Sequence, residues 1–150
     1  MIITTPIGKL GLKLSSNILS SIRFLPKTAL LSTNQDQAIQ RIITELHAYF
    51  KNPQHQFKLE FQMEGTAFQK RVWKALQNIP SGKVLTYKEL AQKLKTSPRA
   101  IGNACRRNPL PIIVPCHRVV SQQGLGGYNG KTGGEMLNIK QWLLKHEGSI

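Results

Sequence analysis

The chain reads Thr86-Tyr-Lys-Glu-Leu-Ala-Gln-Lys-Leu-Lys-Thr-Ser-Pro-Arg-Ala-Ile-Gly-Asn-Ala-Cys-Arg106 in its most clearly patterned segment, which predicts two short helices and a tight turn between them. Thr86 and Glu89 form a capping box, the pattern that satisfies free N–H groups at the start of a helix. Ser97 is a favoured N-cap residue, and Pro98 suits the first position of the next helix. Helix, short turn and helix is the arrangement of many DNA-reading modules.

The second of these helices has a polar face and an apolar face. Helical spacing places Arg99, Asn103 and Arg106 together on the polar face. The apolar face consists of Ile101, Ala104 and Cys105, and we therefore expect Cys105 to be a small core residue. Amphipathic helix pairs are common in ordinary α domains, where the polar face is only solvated, so this pattern alone is a weak signal.

Upstream, a further helix is predicted between Thr66 and the turn Pro80-Ser81-Gly82. Thr66 and Gln69 form a second capping box, and an apolar stripe follows at helical spacing, made of Phe68, Val72, Trp73, Leu76 and Ile79.

The N-terminal part of the chain has a different pattern. Short strands are predicted over residues 2–5, 9–14 and 18–25, followed by an amphipathic helix from Ala38 to Phe50. This order predicts a small antiparallel meander with a helix. We expect two domains, residues 1–64 and 65–150, with the boundary at the Glu64-Gly65 junction.

The formal net charge of +14 arises from 21 Lys and Arg residues against 7 Asp and Glu residues. Most of this excess lies after residue 64. Between Glu89 and Glu135 the sequence has no acidic residue and seven cations: Lys93, Lys95, Arg99, Arg106, Arg107, Arg118 and Lys131. A solvated basic face is the plain explanation, but so many like charges around one candidate site favour phosphate binding.

Composition excludes several classes of protein. No apolar run approaches the roughly 18 residues that a membrane span needs, and residues 1–6 lack the features of a signal peptide. Two cysteines are too few for a disulfide framework, and no Cys or His cluster has metal-ligand spacing. We therefore expect a cytoplasmic protein with reduced thiols, no metal, no cofactor and no membrane partner.

One cysteine stands in an unusual context, in the segment Asn108-Pro-Leu-Pro-Ile-Ile-Val-Pro-Cys-His-Arg-Val-Val120. The β-branched run before Pro115 predicts a buried strand, after which Cys116 and His117 must share a turn, because neighbouring side chains on a strand point apart. A thiolate needs a base or a positive field at neutral pH, and His117 and Arg118 could supply them. A single cysteine after a strand is nevertheless more often inert.

Residues 65–148 resemble the O6-alkylguanine-DNA alkyltransferases, the methylated-DNA–protein-cysteine methyltransferase family. The resemblance rests on several motifs in the family's order: Val84-Leu-Thr-Tyr87, Pro98-Arg-Ala-Ile-Gly102, Asn108-Pro109, Pro115-Cys-His-Arg-Val119, Gly126-Gly-Tyr128 and Trp142-Leu-Leu-Lys-His-Glu147. The first 64 residues match only loosely. The resemblance implies an α/β (α+β) protein with a ribonuclease-H-like N-terminal sheet and helix. It also implies a helical, winged-helix-like C-terminal domain that contains the helix-turn-helix.

The resemblance implies a one-shot DNA repair protein that flips a damaged guanine out of duplex DNA. Cys116 would accept the alkyl group from O6 and keep it. His117 would act through water as the base, Glu147 would orient His117, and Tyr87 would donate a proton or hydrogen bond to the leaving guanine. Asn108 would hold the turn that carries the cysteine. The protein is expected to act as a monomer.

The resemblance also assigns residues to DNA and to the alkyl pocket. Arg99 would enter the base stack in place of the flipped guanine. The other expected DNA contacts are Ser97, Asn103, Arg106 and Thr86. The expected pocket residues are Val119, Tyr128, Asn129 and Pro111.

This sequence lacks the zinc-binding residues that some members have in their N-terminal domains, and it departs from the family pattern in two loops. The turn before Arg99 is shorter than in many members, and the link over residues 129–141 is longer than usual. Three other functions stay open at this point: a helix-turn-helix regulator with an inert Cys116, a lesion-binding protein without chemistry, and a thiol hydrolase or redox enzyme. The motif cysteine argues against the second, and the basic helix-turn-helix argues against the third.

Overall fold

The computed structural model describes residues 1–32, 36–131 and 133–150 and has the expected mixed α/β fold. Thr132, in the link that the sequence singled out, lies outside the described residues. The chain divides into two compact units, Met1–Met63 and Glu64–Ile150.

The first unit contains a three-stranded antiparallel sheet in the order β1-β2-β3. Its strands are β1 (Ile2–Thr5), β2 (Gly8–Ser15) and β3 (Ile18–Leu25), which confirms the predicted meander. The turn between β2 and β3 consists of Ser16 and Asn17, whose φ angles are 52° and 64°. Two positive φ angles are typical of the tight hairpin turn whose twist matches that of the strands.

Helix α1 (Gln37–Lys51) follows the sheet and confirms the predicted amphipathic helix. Asp36 caps it by accepting a 2.8 Å hydrogen bond from the Ala38 N–H. One face is buried and consists of Ile39, Ile42, Leu46 and Tyr49.

The second unit is mainly helical, with α2 (Ala67–Gln77), α3 (Tyr87–Leu94), α4 (Pro98–Arg106) and α5 (Gly134–His146). Two short parallel strands, β4 (Leu85–Thr86) and β5 (Val119–Val120), pair Leu85 with Val119. This pairing joins the start of α3 to the segment that follows the Cys-His motif.

The predicted helix starts are confirmed at atomic detail. In each capping box the threonine Oγ1 accepts the N–H three residues later, at 3.1 Å for Thr66 and 3.0 Å for Thr86. In return, Gln69 Oε1 accepts the Thr66 N–H and Glu89 Oε1 accepts the Thr86 N–H, both at 2.9 Å. Ser97 Oγ accepts the Ala100 N–H at 3.1 Å. Local side chains therefore fix where α2, α3 and α4 begin.

Helix α4 is tied to α2 by a buried indole. Trp73 lies almost wholly inside the unit, and its Nε1–H donates to the Ala104 carbonyl at 2.8 Å. This bond fixes the C-terminal half of α4 relative to α2. An indole N–H buried without a partner would cost about 1–3 kcal/mol, so the contact also defines the packing.

The expected strand before Pro115 is wrong. Residues 109–115 form a buried succession of turns, and Ile112 has a φ of 78°. Prolines at 109, 111 and 115 lack the N–H groups that a sheet needs, so the β-branched run cannot join one. A positive φ is unusual for a β-branched residue, which indicates local strain next to the motif.

We expect Thr66→Ala to lower the free energy of unfolding by about 0.5–2 kcal/mol, because it removes the capping hydroxyl of α2. Thr66→Ser keeps that hydroxyl and is the matched control. Urea unfolding of both variants measures the difference. An equal loss of stability in the two variants would show that the cap does not stabilise α2.

Candidate active site

Cys116, His117 and Arg118 form a single 3₁₀ turn directly after the buried turns. The Cys116 N–H donates to the Val114 carbonyl at 2.8 Å. Asn108 braces the same segment from both ends, because its Nδ2 donates to the Val114 carbonyl at 2.8 Å and its Oδ1 accepts the Leu110 N–H at 3.0 Å. The predicted turn at the Cys-His pair is therefore present, and Asn108 lies within it.

His117 and Glu147 form a buried pair. His117 Nε2 lies 2.9 Å from Glu147 Oε2, and both side chains are fully buried. Because an ionised carboxylate only accepts hydrogen bonds, Nε2 carries the proton and Nδ1 is left as an acceptor. Nδ1 has no hydrogen-bond partner among the described residues. Burial lowers the pKa of His117, although Glu147 opposes this effect, so the imidazole is held neutral.

Arg118 holds the other edge of Glu147. Its Nε donates to Oε1 and its Nη2 to Oε2, both at 2.9 Å, while Nη1 donates to the Ile79 carbonyl at 2.6 Å. The guanidinium thus makes a bidentate contact with the carboxylate. The expectation that Arg118 supplies the positive field at Cys116 is not met, because this side chain is committed to Glu147.

Lys140 supplies that field instead, and the sequence analysis missed it. Its side chain is fully buried, and its ammonium donates to the Val119 carbonyl at 2.7 Å and to the Gly127 carbonyl at 2.8 Å. Burial lowers the Lys140 pKa to about 8. Lys140 stands at helical spacing with the buried Leu143 and Leu144. A charged residue within such an apolar stripe is the sequence signal that could have indicated its role.

The Cys116 thiol experiences opposing influences. Burial raises its pKa, while a hydrogen bond with the Asn108 side chain and the charge of Lys140 lower it. Burial is the largest of these influences, so the resting side chain is a neutral thiol at neutral pH. Forming the thiolate therefore requires a base that removes the proton.

Cys116 opens onto a cavity of about 230 Å³. The lining residues are Tyr87, Gly102, Cys105, Arg106, Cys116, Gly127, Tyr128, Asn129, Gly130 and Lys131. Two of the four expected pocket residues, Tyr128 and Asn129, therefore lie there. Val119 and Pro111 are buried and are not among the lining residues.

Tyr87 lies at this cavity, next to a glycine turn. Its hydroxyl lies 3.5 Å from the Gly127 carbonyl, and burial raises its pKa, so the phenol stays protonated. Gly126 has a φ of 74°, and a Cβ there would lie 2.9 Å from the Tyr87 ring. Only glycine permits this close approach of the turn to the ring.

Cys105 is not the core residue that the helical pattern predicted. It is half-buried on α4 and lines the same cavity as Cys116. Helical spacing predicts only whether a residue of α4 faces the core or the solvent. Cys105 lies on the border between these two faces, where it lines the cavity, and spacing cannot distinguish this position from the core.

The expected DNA-contacting residues lie on the helix-turn-helix. Arg99, Asn103 and Arg106 are exposed on α4, and Arg106 also reaches the cavity. The hydroxyls of Ser97 and Thr86 accept the capping hydrogen bonds of α4 and α3. The structure thus brings the cationic face of α4 next to the opening in front of Cys116.

None of the helices described is long and apolar enough to cross a membrane. Within residues 1–32, 36–131 and 133–150, no group of three or more His, Cys, Asp or Glu side chains is placed to hold a metal ion.

The C-terminal unit matches a known protein family. Residues 67–149 match the family described as 6-O-methylguanine DNA methyltransferase, DNA binding domain. The methylated-DNA–protein-cysteine methyltransferase of Mycobacterium tuberculosis is 39% identical over 154 residues, covering 98% of this chain and 90% of the relative. The protein of the same name from Methanosarcina acetivorans is 47% identical over 109 residues, covering 70% of this chain and 66% of the relative.

Solved structures agree with this match. The crystal structure of Mycobacterium tuberculosis OGT in complex with DNA superposes with a TM-score of 0.82 at 38% identity, covering 99% of this chain and 91% of that one. An O6-methylguanine DNA methyltransferase from Methanococcus jannaschii gives a TM-score of 0.71 at 32% identity, covering 99% and 93%. The chain therefore belongs to the family of methylated-DNA–protein-cysteine methyltransferases.

Proposed function

We propose that this protein repairs O6-alkylguanine in duplex DNA by moving the alkyl group irreversibly to Cys116. One observation carries the proposal: Cys116 lies at an open cavity, and the neighbouring His117 is held by a buried carboxylate. This arrangement has the nucleophile, base and orienting acid of a hydrolase triad. The cavity also lies next to the cationic face of α4, which carries Arg99 and Arg106. These side chains suit binding of the phosphates of the DNA that contains the alkylated base.

The transfer begins with removal of the Cys116 proton. His117 is neutral and its Nδ1 is an acceptor, so it takes the proton through a water molecule, while Glu147 stabilises the imidazolium that forms. The sulfur then attacks the alkyl carbon, a C–S bond forms, and the bond from that carbon to O6 breaks. The electron pair passes to the guanine ring. Nothing removes the thioether, so each molecule reacts once.

Tyr87 assists the leaving group. Its pKa is raised by burial, which keeps the hydroxyl protonated and able to donate. Donation to the guanine ring offsets the charge that develops as the carbon–oxygen bond breaks. The ammonium of Lys140, 5.8 Å from the centre of the Tyr87 ring, carries positive charge at the same wall.

Duplex DNA reaches the site through the helix-turn-helix. We place α4 in the minor groove, with Arg99 entering the stack where the guanine leaves and Asn103 and Arg106 beside the backbone. Minor-groove contacts read little sequence, which suits a protein that must meet a lesion in any context. The excess of cations supplies the attraction to phosphates.

A reduced Cys116 is required for this chemistry, which supports a cytoplasmic location. Action as a monomer without a cofactor stays a prediction. A regulator of the helix-turn-helix type would not need the His117–Glu147 pair behind a cysteine. A lesion-binding protein would not need the nucleophile. A thiol hydrolase or redox enzyme would not need the cationic face of α4.

Cys116→Ala should abolish alkyl uptake and leave binding to duplex DNA within about threefold of the original, because the thiol is the acceptor but makes no phosphate contact. The measurement is intact mass and peptide mapping after incubation with a duplex containing one O6-methylguanine. The unsubstituted protein should gain a single methyl group on Cys116. Uptake of methyl by the alanine variant would contradict the mechanism.

Arg99→Ala should slow transfer from duplex DNA at least tenfold, because unstacking a base costs a few kcal/mol that the inserted side chain partly offsets. Transfer from a single-stranded oligonucleotide should slow much less, since that substrate has little stacking to break. Lys93→Ala, which removes an exposed cation from α3, is the control. Equal slowing on both substrates would show that Arg99 only binds phosphate.

The neutral state of His117 predicts how stability depends on pH. The unfolded chain binds a proton at His117 below its ordinary pKa of 6.5, whereas the folded chain does not. Unfolding therefore takes up a proton, and the free energy of unfolding falls as the pH drops below that value, by at most about 1.4 kcal/mol per pH unit. Urea unfolding between about pH 5 and pH 7 measures the slope.

His117→Gln should flatten this slope, whereas His47→Gln, which alters an exposed residue of α1, should leave it unchanged. An unchanged slope in His117→Gln would mean that folding does not lower the pKa of His117.

A further inference from the structure

We propose that Cys105 sets the size of the alkyl group that the cavity accepts; this inference rests on the proposed function and specifies its substrate range. Two thiols line the cavity, one from the 3₁₀ turn and one from α4. The transfer described above uses only Cys116. Cys105 is therefore a wall residue of the alkyl pocket whose role the chemistry leaves unassigned.

The backbone around Cys105 is fixed on both sides. The Ala104 carbonyl accepts the buried Trp73 indole N–H at 2.8 Å. The Cys105 carbonyl accepts the Asn108 N–H at 3.2 Å, and Asn108 in turn braces the segment that leads to Cys116. A larger side chain at position 105 cannot be accommodated by a shift of α4 without breaking these bonds. The added volume must therefore be taken from the cavity.

The Cys105 side chain is a neutral, compact group. Burial raises its pKa far above the ordinary value, and the nearby Cys116 thiol raises it further, while the charge of Lys140 opposes both. With its thiol protonated, Cys105 is a poor nucleophile and a small apolar surface. Cys105 also interacts with Tyr87, which is protonated as well.

The volume of the pocket determines which alkyl groups fit beside Cys116. One methylene group more or less in an apolar pocket changes a specificity ratio about 10- to 200-fold. A bulkier residue at position 105 should thus discriminate strongly against long alkyl groups, while methyl, the smallest group, should still fit.

The test compares O6-methylguanine with O6-n-butylguanine, each placed once in the same duplex. Single-turnover transfer rates are measured for the unsubstituted protein and for Cys105→Leu, Cys105→Ala and Cys105→Ser, with peptide mapping to locate the alkyl group. Because both substrates are presented in the same DNA, the ratio of butyl to methyl rates cancels any change in DNA affinity. Cys105→Ser keeps the shape of the side chain and is the matched control.

We expect Cys105→Leu to lower the butyl-to-methyl ratio at least tenfold, Cys105→Ala to raise it, and Cys105→Ser to leave it within about twofold. Cys105→Ala keeps the test decisive if the leucine variant does not fold. A ratio that no variant moves, or equal slowing of both substrates, would overturn the inference. Alkyl groups found on Cys105 would overturn it too, because a passive wall does not react.

The same experiment separates this inference from the proposed function. If the unsubstituted protein gains no methyl group on Cys116, the proposed function fails and the inference falls with it. If Cys116 is methylated but the ratio does not depend on residue 105, only the inference fails.

Discussion

Glu147 is the buried carboxylate on which the site depends. Its two oxygens accept hydrogen bonds from His117 and from two nitrogens of Arg118, all at 2.9 Å. Arg118 also donates to the carbonyl of Ile79, just after α2. One carboxylate therefore joins the end of α5 to the reactive turn and, through Arg118, to the turn after α2. Leaving a partner of such a pair unpaired in the interior costs about 3–5 kcal/mol.

The same contacts set the protonation states that the chemistry needs. A carboxylate that accepts from Nε2 leaves Nδ1 of the imidazole as an acceptor, and burial keeps that imidazole neutral. Burial also keeps Cys116 and Tyr87 protonated at rest, so a base must remove the Cys116 proton before the sulfur can react. The positive charge of Lys140 lowers the pKa of Cys116 and so limits the cost of forming the thiolate.

The helix starts could be predicted from the sequence, because they depend on residues that are close together along the chain. The capping boxes at Thr66 and Thr86 and the N-cap at Ser97 appear as expected, because each depends on groups within three residues of one another. The loop before Cys116 was predicted wrongly, since apolar β-branched residues suggested a strand where prolines prevent one. Cys105 was assigned to the core because helical spacing cannot locate a cavity wall.

The sequence by itself determined helices α1 to α4, the hairpin strands, the basic C-terminal half and the Cys-His motif, because propensity, capping and charge are local or additive properties. Helix α5 was not predicted. Only the tertiary structure decided which groups surround Cys116. Arg118 lies two positions from Cys116 in the sequence yet is bound to Glu147, whereas Lys140 lies 24 positions from Cys116 and provides the charge. Electrostatic interactions depend on distance and burial in space, and the order of residues along the chain contains neither.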